Sequence, residues 1–234
     1  MPAPAIQNPP IFVPDHPVQH VNYDFTTCRS CPLWETSIAT LDGETYRRSG
    51  IYGRGTGKSG LMLLAEAPGA NEVVRGANLI GASGRLLSEY LKDVAIIEHD
   101  CWIANVVRCR PPGNRTPTVT EGRTCSGLHM ATDLPFPEWR PRLIVLLGLT
   151  PLKFVLNKQK LQDRRGIFYD GEFLDTPCKV LATYHPAKVL RTAESGTILK
   201  QDLLKARQFL LGLPIEPLPP IQRVEIRTQQ QYRQ

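Results

Sequence analysis

Four short apolar runs divide the middle of the chain. They are Leu61–Ala65, Trp102–Val107, Leu143–Leu147 and Lys179–Thr183, and each has the length of a strand. Most of their positions are apolar, which is typical of strands that are covered on both faces. Because segments with helical spacing separate the runs, the pattern predicts an α/β domain with a mostly parallel sheet.

Apolar residues recur at helical spacing after the first run and again late in the chain. The two sets are Leu86, Leu87, Tyr90, Leu91 and Val94, and then Leu199, Leu203, Ala206 and Leu210. We predict a helix over each set, the second of which stops near Gly212.

The two ends of the chain depart from this pattern. Proline-rich residues 1–24 predict an extended arm, and residues 213–234 predict a polar tail, so the folded domain is expected to span residues 25–212. Residues 1–17 lack the charged start and apolar stretch of a secretory signal. No apolar run reaches the roughly 18 residues that a membrane span needs. We therefore expect a cytoplasmic monomer with no membrane partner.

The charge of the chain favours a polyanionic partner. Its 234 residues carry a net charge of +6, with an isoelectric point of about 9.1. This balance suits nucleic acid, although many soluble proteins with other partners are mildly basic too.

Cysteines form a candidate metal site. Cys28 and Cys31 are a C-x₂-C pair, and Cys109 and Cys125 form a second pair with fifteen residues between them. Four thiolates can hold a [4Fe–4S] cluster or a tetrahedral zinc ion, and spacing alone does not separate these from each other. Buried free thiols are the simpler alternative. The other two cysteines, Cys101 and Cys178, are expected to be ordinary thiols.

Residues Gly53–Ser59 resemble a phosphate-binding loop only superficially. The motif requires a glycine at position 52, where Tyr52 stands, and the segment precedes a strand rather than following one. We expect a basic loop able to touch DNA phosphate.

Polar residues follow three of the four predicted strands. Glu66 follows the first, Asn105 lies within the end of the second, and His185 follows the fourth. In parallel sheets, ligands bind beyond the carboxyl ends of the strands, so the three side chains are expected to meet at one edge.

These residues lie in blocks that resemble the motifs of family 4 uracil-DNA glycosylases, which carry a [4Fe–4S] cluster. The blocks are Glu66-Ala-Pro-Gly69, Asn105-Val-Val-Arg-Cys-Arg-Pro-Pro-Gly-Asn-Arg115 and His185-Pro-Ala187 followed by Leu190-Arg191. The resemblance covers about residues 25–211. It implies a three-layer α/β/α fold around a four-stranded parallel sheet, with Cys28, Cys31, Cys109 and Cys125 as cluster ligands.

The resemblance also implies a role for each site residue in cleaving the N-glycosidic bond of a flipped base. Glu66 would stabilise positive charge on the sugar or orient water, His185 would stabilise charge on a pyrimidine O2, and Asn105 would read the base edge. Ala67, Gly69, Glu72 and Leu79 would complete the base pocket. Val189 or Leu190 would fill the gap left by the base, between phosphate-binding Lys188 and Arg191.

Two departures from the family pattern concern the base. Leu79 stands where the family has a phenylalanine that stacks on uracil, and Val73 replaces an acidic residue. A lost aromatic stack costs about 1–3 kcal/mol. This motivates a hypothesis that the pocket takes a larger pyrimidine, such as hydroxymethylated or glucosylated cytosine, in anti-phage defence rather than repair.

Three classes of function remain open at the level of sequence. The leading one is a monofunctional glycosylase that uses water and leaves an abasic site, since no lysine stands in a nucleophile motif. The others are a non-catalytic iron–sulfur DNA-binding module and a zinc-containing nucleic-acid-binding protein.

Overall fold

The computed structural model describes residues 25–215. The predicted arm over residues 1–24 lies outside the described residues, as does the predicted tail beyond residue 215. No helix within the described range is long and apolar enough to cross a membrane.

A five-stranded sheet forms the centre of the fold. The strands among the described residues are β1 (Ile38–Leu41), β2 (Glu44–Arg47), β3 (Leu61–Ala65), β4 (Trp102–Asn105), β5 (Leu143–Leu147), β6 (Phe168–Phe173) and β7 (Thr176–Thr183). The central sheet has the order β4-β3-β5-β7-β6, and β1 pairs with β2 in a separate hairpin. Strands β4, β3, β5 and β7 are parallel, which confirms the predicted fold class.

The fifth strand, β6, pairs antiparallel with β7 at one edge and was not predicted. Its side chains alternate between buried and more exposed positions, and it carries Asp170, Gly171 and Glu172. Only one face of β6 is therefore apolar, so the sequence lacks the continuous apolar run that marks the four inner strands.

Helices cover both faces of the sheet. They are α1 (Leu33–Thr36), α2 (Ala70–Arg75), α3 (Ala82–Asp93), α4 (Val119–His129), α5 (Leu149–Leu156), α6 (Pro186–Val189) and α7 (Glu194–Leu210). Alternate residues of β3 enter different cores: Met62 and Leu64 face one cluster, whereas Leu61 and Leu63 face the cluster that α3 and α7 complete. Two separate cores, one on each face, make the domain a three-layer structure.

The segment over residues 53–59 forms backbone hydrogen bonds with the edge strand β4 and the residues just before it. The Arg54 backbone exchanges two hydrogen bonds with Ile103, and the Ser59 hydroxyl donates to the Asp100 carbonyl. Gly55 has a φ of 103°, and a Cβ there would collide with the Cys101 carbonyl. The close approach of Gly55 to the Cys101 carbonyl therefore explains the glycine at this position without a bound phosphate.

Candidate active site at the carboxyl edge of the sheet

A cleft of about 740 Å³ opens at the carboxyl ends of β3, β5 and β7. Residues 66–69 line it after β3 and residues 147–149 after β5. The cleft is also lined by Tyr184, His185, Ala187, Lys188 and Arg191 after β7, and by Pro111, residues 114–116 and residues 159–162. The cleft therefore lies where the topology of a parallel sheet places ligands.

Glu66 projects into this cleft directly after β3. Its carboxylate accepts a hydrogen bond of 2.5 Å from the hydroxyl of Thr150, a buried residue in the first turn of α5. The Glu66 carbonyl also accepts from the Val107 amide, which fixes its main chain. The carboxylate is thus held in one orientation by a residue that was not predicted, although Thr150 too follows the end of a strand.

His185 caps the N-terminus of α6 on the opposite wall of the cleft. Its Nδ1 accepts a hydrogen bond of 3.1 Å from the Ala187 amide, so the proton of the neutral ring is on Nε2. Burial, together with nearby Arg191, lowers the pKa of His185 to about 4, against a smaller opposing effect of Glu72. At neutral pH, His185 is therefore an uncharged donor through Nε2.

Glu72 lines the cleft, but its carboxylate is occupied by the protein's own backbone. It accepts from the amides of Gly69 at 3.1 Å, Ile80 at 3.0 Å and Gly81 at 2.9 Å. Glu72 therefore ties the loop after β3 to the loop that precedes α3. One of these three donors, the Gly69 amide, was expected to contact a base. Ala67 lines the cleft beside Gly69.

Leu79 faces the cleft from a constrained backbone. Its φ is 49°, in the left-handed region that a residue with a side chain rarely adopts. The Arg54 guanidinium donates to the carbonyls of Asn78 and Leu79, and Glu72 binds the two amides that follow. Contacts on both sides thus hold the segment in place against the backbone strain.

Asn105 ends β4 beside Ala65 and lies behind the cleft wall rather than in it. Only 1% of the residue is exposed, and its Nδ2 donates to Asn78 Oδ1 at 2.6 Å. The structure brings Glu66 and His185 together on the cleft surface and places Asn105 at the same sheet edge, one layer deeper.

Basic side chains form one rim of the cleft. Lys188 and Arg191 line it, and the Lys188 ammonium lies 3.6 Å from the centre of the Tyr184 ring. Arg115, which was not predicted, lines the cleft on the other side and is paired with Glu121. Of the two apolar residues between the basic ones, Val189 is buried in the core, and Leu190 is only partly buried.

The four predicted cysteine ligands surround a second, small cavity. Cys28 and Cys31 precede α1, Cys109 follows β4 and Cys125 lies on α4, and all four line this cavity with Leu33, Trp34 and Leu128. The Gly50 amide donates to Cys109 Sγ, and the Arg108 amide donates to Cys125 Sγ, both at 3.3 Å. The other two cysteines are buried elsewhere in the core.

Burial keeps two of the thiols around this cavity protonated in the absence of a cation. Burial raises the pKa of Cys109 to about 11 and that of Cys125 to about 12, so neither thiol ionises at neutral pH without a cation beside it. In the part of the chain that the structure describes, no group of three His, Cys, Asp or Glu side chains could hold a metal ion.

Arg108 links the cysteine cavity to the cleft. It lines the cavity, forms a buried ion pair of 2.6 Å with Asp133, and donates to the Asn105 main-chain carbonyl. A displacement of the cysteines is therefore expected to shift Arg108 and, through it, the end of β4.

Comparison with known proteins supports the same family that the motifs indicate. Residues 52–210 match the model of the uracil DNA glycosylase superfamily. The type-4 uracil-DNA glycosylase of Pyrobaculum aerophilum is 36% identical over 75% of this chain and 86% of its own. The enzymes of the same name from Archaeoglobus fulgidus and Sulfurisphaera tokodaii are 34% and 30% identical, over 78% and 83% of this chain and 87% and 85% of theirs. The chain therefore belongs to the uracil DNA glycosylase superfamily, and within it to the type-4 family.

Proposed function

We propose that the chain is a monofunctional DNA glycosylase that hydrolyses the N-glycosidic bond of a flipped uracil and leaves an abasic site. One observation carries the proposal: a fixed carboxylate, Glu66, and a neutral imidazole donor, His185, line the same cleft. The names of the relatives support uracil as the base.

Each of these two groups matches one of the charges that develop as the bond breaks. Positive charge grows on the sugar, where the Glu66 carboxylate stabilises it and orients the attacking water. Negative charge grows on the departing base, where the His185 Nε2–H donates to the pyrimidine O2. A preorganised donor of this kind is worth about 2.7–4 kcal/mol in the transition state.

The rim supplies the contacts that hold DNA. Lys188 and Arg191 neutralise phosphates on either side of the extruded nucleotide. Leu190 fills the gap in the base stack, because its neighbour Val189 is committed to the core. The protein works as a monomer in the cytoplasm, where DNA is its macromolecular partner.

Cys28, Cys31, Cys109 and Cys125 hold a [4Fe–4S] cluster in this proposal. The fit rests on the four thiols that share one cavity and on the two backbone amides that donate to sulfur. When bound, the cluster supplies four iron–sulfur bonds that join the α1 segment to the end of β4 and to α4. It holds these segments in place while the chemistry takes place in the cleft.

A second candidate substrate is a bulky modified cytosine from phage DNA. Leu79, which replaces an aromatic residue, and the cleft of about 740 Å³ leave space beside the base. In this version, the enzyme acts in anti-phage defence. Comparing release of uracil, cytosine and glucosylated hydroxymethylcytosine from matched duplexes separates the two candidates, since robust release of uracil with none of the modified base contradicts the second.

The proposed chemistry is tested by the E66Q variant, which keeps the size of the side chain and removes its charge. We expect base release to fall by at least about a hundredfold while the affinity for DNA is retained. The matched control is E172Q, on the exposed face of β6 at the far edge of the sheet. Full activity of E66Q would contradict the assignment and favour another catalytic group.

A further inference from the structure

We propose that Asn78 is a positioning residue that determines which end of the Asn105 amide reads the base. This inference rests on the proposed function and extends it to base discrimination. Asn78 and Asn105 come from different segments, 27 residues apart, and both side chains are fully or almost fully buried.

A backbone carbonyl sets the orientation of both amides. The Tyr52 carbonyl only accepts hydrogen bonds, so the Asn78 atom 2.7 Å from it must be the nitrogen, Nδ2. The other end of Asn78, Oδ1, then faces Asn105 and accepts at 2.6 Å, so the Asn105 atom there must be Nδ2 as well. The chain of donors runs from Asn105 through Asn78 to Tyr52 and cannot be reversed.

This order leaves Asn105 Oδ1 as a buried acceptor without a hydrogen-bond partner among residues 25–215. Such an atom is costly, and native proteins seldom leave one unpaired. Its neighbours on both sides reach the cleft: Glu66 follows Ala65, the strand partner of Asn105, and Leu79 follows Asn78. Because Asn105 lies behind the wall, our proposal requires the wall side chains to move aside before a base can contact this oxygen.

A fixed amide gives a base specificity that a rotating amide does not. Uracil presents a donor at N3 and an acceptor at O4, whereas cytosine presents the reverse pattern at the same two positions. A half-turn of the Asn105 amide exchanges its oxygen and nitrogen, and so exchanges the preferred base. With His185 holding O2, Asn78 keeps the amide in the orientation that pairs its oxygen with the uracil N3–H.

The surrounding backbone supports Asn78 in this position. Arg54 binds the Asn78 carbonyl, and Glu72 binds the amides of Ile80 and Gly81.

The test measures release of uracil and of cytosine from matched duplexes by the wild type, N78A and N78L. N78L keeps the branched shape and the four side-chain heavy atoms and removes both hydrogen bonds, and N71L, at an exposed asparagine of α2, is the control. We expect the uracil-to-cytosine ratio of kcat/KM to fall about tenfold in both Asn78 variants and to stay unchanged in N71L. Thermal melting checks that each variant is folded.

A double-variant comparison separates positioning from a general loss of structure. In an N105A background, adding N78A is expected to leave the ratio unchanged, because Asn78 acts through Asn105. An unchanged ratio in folded N78A or N78L would overturn the inference alone, as would an equal loss of activity on both bases. Absence of uracil release by the wild type would overturn the proposed function and this inference together.

Discussion

In the proposed reaction, Thr150 acts through Glu66. Its hydroxyl is the hydrogen-bond donor to the carboxylate, and its buried position in α5 prevents it from turning away. We expect T150V to lower kcat about tenfold with little change in KM, because the variant loses an interaction that positions charge in the transition state. T150S, which keeps the hydroxyl, is expected to recover most of the rate. Equal rates for the two variants would contradict the role.

His185 makes stability depend on pH in a defined direction. Its pKa is about 4 in the folded chain and 6.5 for an unperturbed histidine, so below pH 6.5 the unfolded state binds the proton first. The free energy of unfolding is therefore expected to fall as the pH is lowered from 7 toward 4. Denaturant unfolding across this range should show that the free energy of unfolding depends less steeply on pH in H185Q than in the wild type. The control H99Q, at an exposed histidine, should resemble the wild type. The same pH dependence of the free energy of unfolding in the wild type and H185Q would contradict the lowered pKa of His185.

Sequence reasoning found the residues that lie in recognisable blocks and missed those that act across segments. Glu66 and His185 were predicted from their place after strands, and the structure brings them to one cleft. Thr150 follows a strand but, like Asn78, it lies outside these blocks, and each of the two depends on a partner 84 or 27 residues away. Glu72 was expected to contact substrate, yet its three backbone partners appear only once the chain is folded.

At the scale of elements, α4 begins with two reciprocal hydrogen bonds. Thr118 Oγ1 accepts from the Glu121 amide, and the Glu121 carboxylate accepts from the Thr118 amide and pairs with Arg115. We expect T118A to lower the free energy of unfolding by about 1 kcal/mol. Because α4 carries Cys125, the variant should also retain less iron per chain. Urea unfolding and iron analysis measure the two effects, and unchanged values of both would contradict the importance of this cap.

The elements predicted from sequence were those buried on both sides. Leu61–Ala65 and Leu143–Leu147 agree with β3 and β5 at both ends. Helix α7 covers its predicted set, and α3 covers the other except for Val94, which is the C-cap. The hairpin of β1 and β2 was missed because most of its residues are exposed and no apolar alternation marks it. The predicted run Trp102–Val107 extends past β4, since Val106 and Val107 are buried in the connection that follows.

At the scale of the whole molecule, the cysteine cavity joins parts of the chain that no strand pairing connects. Removing the proposed cluster by oxidation and chelation is expected to lower Tm, bleach the visible absorbance and reduce base release together. The loss of activity follows because Arg108 contacts both the cavity and Asn105. Thermal melting and base release before and after treatment measure this. A bleached protein with an unchanged Tm would contradict a stabilising role.

The position of the cysteines along the chain also bears on the order of assembly during synthesis. All four precede residue 126, whereas β5 and β7, which complete the middle of the sheet, begin at residues 143 and 176. The four proposed ligands are therefore synthesised when two of the five central strands, β3 and β4, have been made. The full set of proposed cluster ligands thus exists on a nascent chain in which β3 has β4 on one side and does not yet have β5 on the other.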